Sequence, residues 1–113
     1  MSQIFNNNSI STTVLASANY NHSMDVSACN AYSVQCNVSG ASSATLTLQG
    51  SNDNVNWVTI GTPVTISSSS AASYLLADAA PTYKWANLLA HSTTGTLTLG
   101  IVECRKSDTV VSN

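Results

Sequence analysis

The residues of this sequence that could do chemistry are few and far apart. The chain has five acidic residues, three cysteines and two histidines in 113 positions. Acid–base catalysis and glycoside hydrolysis need two titratable groups held a few ångströms apart, and the spacing along the chain brings no such pair together. No serine lies in a nucleophile-elbow motif, and no glycine-rich loop could cradle a phosphate. The sequence therefore predicts a protein that has no catalytic residues and no cofactor.

The cysteines and histidines fit no metal-binding pattern. Cys29, Cys36 and Cys104 are odd in number, so they cannot form a closed disulfide framework. Cys36 and Cys104 each follow the alternation of a strand and are predicted to be small buried hydrophobes. His22 and His91, which we expect to lie in polar loops, are distant from the cysteines along the chain, and no zinc-ligand spacing results.

One loop could bind a metal ion through oxygen. Asn52, Asp53 and Asn54 follow one another, and calcium takes carboxylate and amide oxygens from such a loop. The alternative is a turn in which these side chains hydrogen-bond to their own backbone. Because only one carboxylate is present, we favour the turn and predict no metal.

The turn lies inside the stretch that organises the chain, LTLQGSNDNVNWVTIG, residues 46–61. Leu46 and Leu48 alternate with polar residues, which is typical of a strand with one buried face. An apolar, β-branched run resumes at Trp57, so we predict that the chain returns antiparallel. The hairpin turn is predicted at Asn52, Asp53, Asn54 and Trp57.

Short strands occupy the rest of the chain. Residues 32–38 and 96–104 are strands by alternation, with Tyr32 and Leu97 among the inward residues. In residues 83–91 we predict that Tyr83 and Trp85 point into the core. No segment has the apolar period of a capped helix. Eight or nine short strands indicate an all-β fold, an antiparallel β-sandwich that is jelly-roll-like. Further strands are predicted at residues 13–20, 24–29, 63–67 and 73–77.

Two polar ends flank the single predicted β-sandwich domain, residues 13–104. Residues 1–12 are Asn-rich and are predicted to form an extended N-terminal arm, disordered alone and ordered by a neighbouring molecule. Ile4, Phe5 and Ile10 are its hydrophobic anchors and the candidate assembly contacts. Residues 105–113 are predicted to form a polar C-terminal tail.

The charge content indicates what kind of partner this protein has. Only 7% of the residues are charged, whereas Ser, Thr and Asn together occupy 44 positions. Ordinary soluble domains are roughly one quarter charged, so a surface of hydroxyls and amides favours a protein packed among neighbours, although secreted bacterial modules share this bias. Three basic residues exclude a nucleic-acid footprint. No apolar run could span a membrane, and the start lacks the features of a signal peptide, so we expect synthesis in a host cytoplasm.

The hairpin resembles a motif of small β-sandwich proteins found among bacteriophage virion genes, which reads roughly L-x-L-Q-x-S-N-D-G-x-N-W-x-x-[IL]. The similarity extends over about residues 32–106. Asn54 stands where the motif has glycine, and Asn87 stands near the position of an arginine common in the Tyr83 strand. Discoidin-type sugar-binding sandwiches share the shorter pattern S-N-D-x-x-x-W. The residues that match the longer motif are Leu46, Leu48, Gln49, Ser51, Asn52, Asp53, Asn56, Trp57 and Ile60.

The resemblance and the composition together predict a non-enzymatic structural protein of a bacteriophage virion. We expect a capsid decoration or cement protein, or a small capsid or tail component, which acts through contacts with other virion proteins and forms a homo-oligomer. The alternative is a carbohydrate-binding or adhesion module on a phage tail or cell surface. That function predicts an exposed Trp57 and exposed tyrosines along one loop edge.

Overall fold

The computed structural model describes residues 2–109 of the chain and the side chains of residues 7–107, and in this part every regular element is a β-strand. The predicted all-β class is therefore confirmed. Among the described residues, no helix is long and apolar enough to cross a membrane. The eight strands are β1 (Ser2–Val14), β2 (Asn19–Asp25), β3 (Ala31–Ser39), β4 (Ser43–Ser51), β5 (Val58–Ile66), β6 (Ala72–Asp78), β7 (Trp85–Thr94) and β8 (Leu97–Thr109).

The strands form two four-stranded antiparallel sheets. Sheet A has the order β1-β8-β3-β6, and sheet B has the order β2-β7-β4-β5. Consecutive strands lie in opposite sheets along most of the chain, and the first and last strands pair with each other. This order is that of a jelly roll, in which two Greek keys wrap around one core.

The core lies between the two sheets and follows the alternation read from the sequence. In β3 the residues Tyr32, Val34, Cys36 and Val38 are each at most 3% exposed. The inward residues of β8 lie beside them in the same sheet. Those of β7 face them from the opposite sheet. Burying each large aliphatic side chain contributes about 2 kcal/mol. The buried hydrophobic residues of the central strands β4, β7 and β8 are Ala44, Leu46, Leu48, Ala86, Leu88, Ala90, Leu97, Leu99 and Ile101.

The N-terminal strand boundaries differ from the prediction. A single strand at residues 13–20 is wrong, because β1 ends at Val14 and β2 begins at Asn19. Between them Ser17 adopts a φ of 64° and donates its N–H to the carbonyl of Ser92 at 2.7 Å. Likewise, the predicted strand at 24–29 is displaced, since β2 ends at Asp25. The tight turn between β1 and β2, residues 15–18, contains no glycine or proline, so the sequence carries no strong signal for it.

The terminal segments take part in sheet A. Residues 2–12, predicted as an arm, lie within β1, and residues 105–109, predicted as part of the tail, lie within β8. Thirteen consecutive residue pairs join these two strands. The polar composition of these residues gives no signal of a strand. An edge strand can satisfy its backbone groups on one side and leave most of its side chains in water.

The central hairpin is formed as predicted, with β4 and β5 antiparallel. The prediction of a separate strand at residues 63–67 is wrong, because β5 runs unbroken from Val58 to Ile66. The pairing register shifts between Leu46 and Leu48. Gly61, at a φ of 70°, supplies the left-handed residue in this irregularity.

Candidate interaction surfaces

The tip of the β4–β5 hairpin is closed around one carboxylate. Asp53 Oδ1 accepts hydrogen bonds from the backbone N–H groups of Val55 at 2.9 Å and Asn56 at 2.8 Å. The Ser51 hydroxyl donates to Oδ1 and the Asn56 side-chain amide donates to Oδ2, each at 2.8 Å. These donors, the N–H of Asn56 first, hold the pKa of Asp53 well below its ordinary value. Both carboxylate oxygens are therefore occupied by the turn itself.

The rest of the tip is fixed by its amides. Asn54 has a φ of 59°, a left-handed conformation that asparagine tolerates in place of glycine. The Oδ1 atom of Asn52 accepts a hydrogen bond at 3.1 Å from the backbone N–H of Lys84, which immediately precedes β7. The tip is thereby attached to the neighbouring connection. Within residues 2–109, no three His, Cys, Asp or Glu side chains are grouped as metal ligands would be.

A phenol network supports the base of the hairpin. The ring of Tyr83 lies against Gly50, where an added Cβ would be only 2.9 Å from the ring carbons. The Tyr83 hydroxyl donates to Asp78 at 2.8 Å and lies 2.6 Å from the hydroxyl of Tyr32. Burial raises the pKa of Tyr32 to about 12, and burial followed by the two hydrogen bonds raises that of Tyr83. Both phenols stay protonated at neutral pH, so neither supplies a phenolate, and their hydrogen bonds join Tyr32, Tyr83 and Asp78 at this end of the core.

A buried charge cluster joins the two sheets. His22 Nε2 on β2 lies 2.7 Å from Glu103 Oε2 on β8, and these residues are only 9% and 4% exposed. Arg105 Nη2 approaches Glu103 Oε1 at 3.7 Å, and its Nη1 donates to the carbonyl oxygen of Asp25 at 3.2 Å. The pair is buried between the two sheets. Its geometry suits a structural contact between the sheets.

The predicted positions of the histidines were wrong, because both lie in strands. His22 shares the inward face of β2 with the buried Met24, and His91 lies on β7. One signal in the sequence could have found the charge cluster. Glu103 continues by one step the inward alternation that ends at Ile101, so a strict period of two turns its carboxylate inward. A buried carboxylate requires a partner from another strand, and which partner meets it is decided only by the packing of the two sheets.

The cysteines agree with the prediction in part. All three are free thiols. Cys36 is buried at 0% exposure, as predicted, and burial raises its pKa to about 12. Cys104 is partly exposed, so its predicted burial is wrong. It lies on the outer side of β8 because Glu103 takes the inward position beside it.

The outer face of sheet B carries a network of amides beside a tryptophan. Asn87 on β7 donates to the side-chain oxygens of Asn21 and Gln49, each at 2.9 Å, and accepts from Ser23 at 3.2 Å. It is 3% exposed. Trp85, two residues earlier on the same strand, shares this face and is half-buried. Its predicted position in the core is wrong, because the neighbouring Ala86 is the residue that points inward.

Trp57 lies beside the same face. It immediately precedes β5, whose first residue Val58 pairs with the inward Gly50, so alternation places Trp57 on the outer side. Trp57 is half-buried. Trp85 is in register with Ser51, the residue that follows Gly50 on β4. Trp85 therefore lies beside Ser51, and Trp57, which immediately precedes β5, lies at the same end of sheet B.

The outer face of sheet A is nearly free of charge. Among residues 7–107, whose side chains the structure describes, those on this face are small, polar or aliphatic, and only Lys106, at one end, is charged. Leu75 is the large hydrophobic residue on it, at 67% exposure. The uncharged residues of this face whose side chains are described are Asn7, Ser9, Ser11, Thr13, Ala31, Ser33, Gln35, Asn37, Ser39, Ser73, Leu75, Ala77, Thr98, Gly100, Val102 and Cys104.

The three predicted assembly contacts all fall within β1. Ile10 is half-buried, packs against the core and pairs with Ile101 of β8. Its side chain therefore serves this molecule's own core. The side chains of Ile4 and Phe5 lie outside the described set, and their role in assembly stays a prediction.

Comparisons with known proteins show the fold and no closer relationship. No protein-family model matches the sequence, and no curated protein matches it. Among solved structures, a Bacillus endospore appendage protein, described as one of a family of disulfide-linked pili, is similar with a TM-score of 0.64 and 13% identity, covering 96% of this chain and 89% of that one.

Two further structures share the fold. The PBSX exported protein XepA has a TM-score of 0.62 and 13% identity over 92% of this chain, which spans only 38% of XepA. The SPBc2 prophage-derived protein YomS has a TM-score of 0.54 and 13% identity, covering 89% and 95% of the two chains. A carbohydrate-binding module of the CBM4 type also has this fold, with a TM-score of 0.51 and 7% identity over 84% and 66%.

Proposed function

We propose that this chain is a non-enzymatic structural protein of a bacteriophage virion, a capsid decoration or cement protein or a small capsid component, that acts through protein–protein contacts. The observation that carries the proposal is the outer face of sheet A, where the side chains described on its four strands are hydroxyl, amide and small aliphatic groups with one charge at the margin. Removing such groups from water costs far less than removing ions. Interface cores are likewise depleted of charged residues.

The fold and the architecture support this function. A jelly roll offers two broad sheet faces, and a symmetric shell can repeat one weak contact many times, which multiplies its effect. The similar structures include a prophage-derived protein and a pilus subunit, both by their own descriptions. Other virion proteins and further copies of this chain are the proposed partners, and the virion is the proposed location.

Sedimentation of the purified chain, alone at high micromolar concentration and mixed with capsids of the phage that encodes it, tests the proposal. We expect self-association, co-sedimentation with capsids, or both. A matched pair of variants locates the contact. Ser73→Lys adds a charge to the outer face of sheet A, and Ser68→Lys adds the same charge to the exposed loop before β6. Capsid binding weakened by the first change alone supports the face. A strict monomer that ignores capsids contradicts the function.

A second candidate function, carbohydrate binding, is favoured by the outer face of sheet B. Trp57 and Trp85 could stack on sugar rings, and the amides around Asn87 could hydrogen-bond to hydroxyl groups. The CBM4-type neighbour gives this function a precedent on the same fold. Binding on a glycan array that is lost in Trp85→Ala and kept in Leu75→Ala, on the opposite sheet, would establish it. No binding to any glycan would exclude it.

A further inference from the structure

The two sheets leave four strand edges open, and three of them have features that discourage pairing with another chain. β5 contains Pro63 and an irregular register, both of which interrupt a ladder. β2 and β6 are only seven residues long. β2 also turns the ionisable His22 inward, and β2 and β6 each end in an aspartate. Short length and charge are common ways in which proteins protect a sheet edge.

The fourth edge, β1, has none of these features. It is 13 residues long and pairs with β8 on one side in a continuous register, with no bulge. Its sequence, SQIFNNNSISTTV, contains no charged residue, no proline and no glycine. At about 3.4 Å per residue, this leaves an uninterrupted row of backbone donors and acceptors roughly 44 Å long. An edge of this kind is a template for a further strand.

One end of β1 also lacks support from within the molecule. The ladder between β3 and β8 begins at the pair Ala31 and Lys106, whereas β1 and β8 remain paired as far as Ser2 and Thr109. Residues 2–4 and 107–109 therefore form a ribbon of only two strands beyond the edge of β3. A two-stranded ribbon is marginally stable in water, and a third strand would support it.

We propose that the free edge of β1 pairs antiparallel with β1 of a second copy, so that the two A sheets become one continuous eight-stranded sheet. This inference rests on the proposed structural function and names one of its partners. The strand that pairs with this edge is β1 of the second copy, because no other open edge of the described strands is long and regular enough to pair with all 13 residues. The strand is uncharged, so self-pairing brings no like charges together. Pairing of the same edge on both copies is isologous and closes at a dimer.

The test compares two double variants with the wild-type chain in sedimentation equilibrium. Asn7→Lys with Ser9→Lys puts two exposed charges on β1, which become four across the proposed ladder. Ser68→Lys with Ser70→Lys puts the same charges on an exposed loop. We expect a wild-type dimer, a dissociation constant at least tenfold higher for the β1 variant, and an unchanged one for the loop variant. Circular dichroism checks that each variant is folded.

Hydrogen exchange of the wild-type chain gives a readout that does not depend on a variant. Amides of β1 should become more protected as concentration rises through the dimerisation range, while those of β5 and β6 should not. A dimer that is equally tight in the β1 variant, or an open-ended series of oligomers, overturns the inference. A strict monomer also overturns the inference. The mixture with capsids distinguishes the two proposals, because a monomer that binds capsids contradicts the dimer but supports the structural function.

Discussion

Removing one partner of the buried His22–Glu103 pair should destabilise the protein far more than removing both. In Glu103→Leu, His22 remains 9% exposed and loses the carboxylate that lies 2.7 Å away. Leaving a buried polar group without its hydrogen-bond partner costs about 1–3 kcal/mol. Domains of this size have about 5–15 kcal/mol of stability in total, so the loss should lower Tm by roughly 5–15 °C.

A double-mutant cycle separates the pair from its surroundings. Glu103→Leu, His22→Leu and the double variant are unfolded by urea and by heat, and far-ultraviolet circular dichroism follows the transition. The double variant replaces two buried polar groups with apolar ones, so it should be more stable than the sum of the single changes by about 2 kcal/mol or more. Arg105, which is one-third exposed, can turn to solvent when Glu103 is lost. Single variants that cost less than about 1 kcal/mol, or effects that simply add, would refute the structural role of the pair.

Three smaller predictions concern the hairpin and the core. Gly50→Ala should cost about 1–3 kcal/mol in urea unfolding because its Cβ displaces the Tyr83 ring at 2.9 Å, whereas Gly100→Ala, whose nearest neighbour is 3.7 Å away, should be neutral or slightly stabilising. Asp53→Asn should destabilise at neutral pH. Since the folded pKa of Asp53 lies below 3.8, its stabilisation is present above pH 3.8 and disappears as pH falls toward the folded value, so the two chains should converge in acid unfolding curves. Cys36 should resist a thiol reagent until the chain unfolds, while the other two thiols, both partly exposed, react in the folded state.

Alternation predicted the centre of the molecule well. The inward sets of β3 and β8 and the antiparallel hairpin of β4 and β5 all follow from a period of two, because a strand with one buried face must alternate. The prediction failed at Trp85 and at the two histidines. A large aromatic residue on a strand is typical of a core, and histidines among polar residues are typical of loops. In this protein the parity of each position along its strand, and not the mean character of the stretch, decides where the side chain lies.

The ends of the chain show a second limit. Residues 2–12 carry little apolar signal, and only the pairing with β8 makes them a strand. Backbone hydrogen bonds hold an edge strand whatever its side chains are, so composition does not report it. The same composition, without charge or proline, leaves that edge open to a partner.

The sequence by itself determined the class of fold, the inward faces of the central strands and the hydrogen-bonded turn around Asp53, because each depends on neighbours along the chain. Tertiary structure alone decided which distant groups meet. His22 and Glu103 are 81 residues apart, and they face each other only because β2 and β8 lie in opposite sheets whose inner faces pack together. The strand order, the two outer faces and the open edge of β1 likewise depend on which strands pair. A local sequence pattern does not determine that pairing.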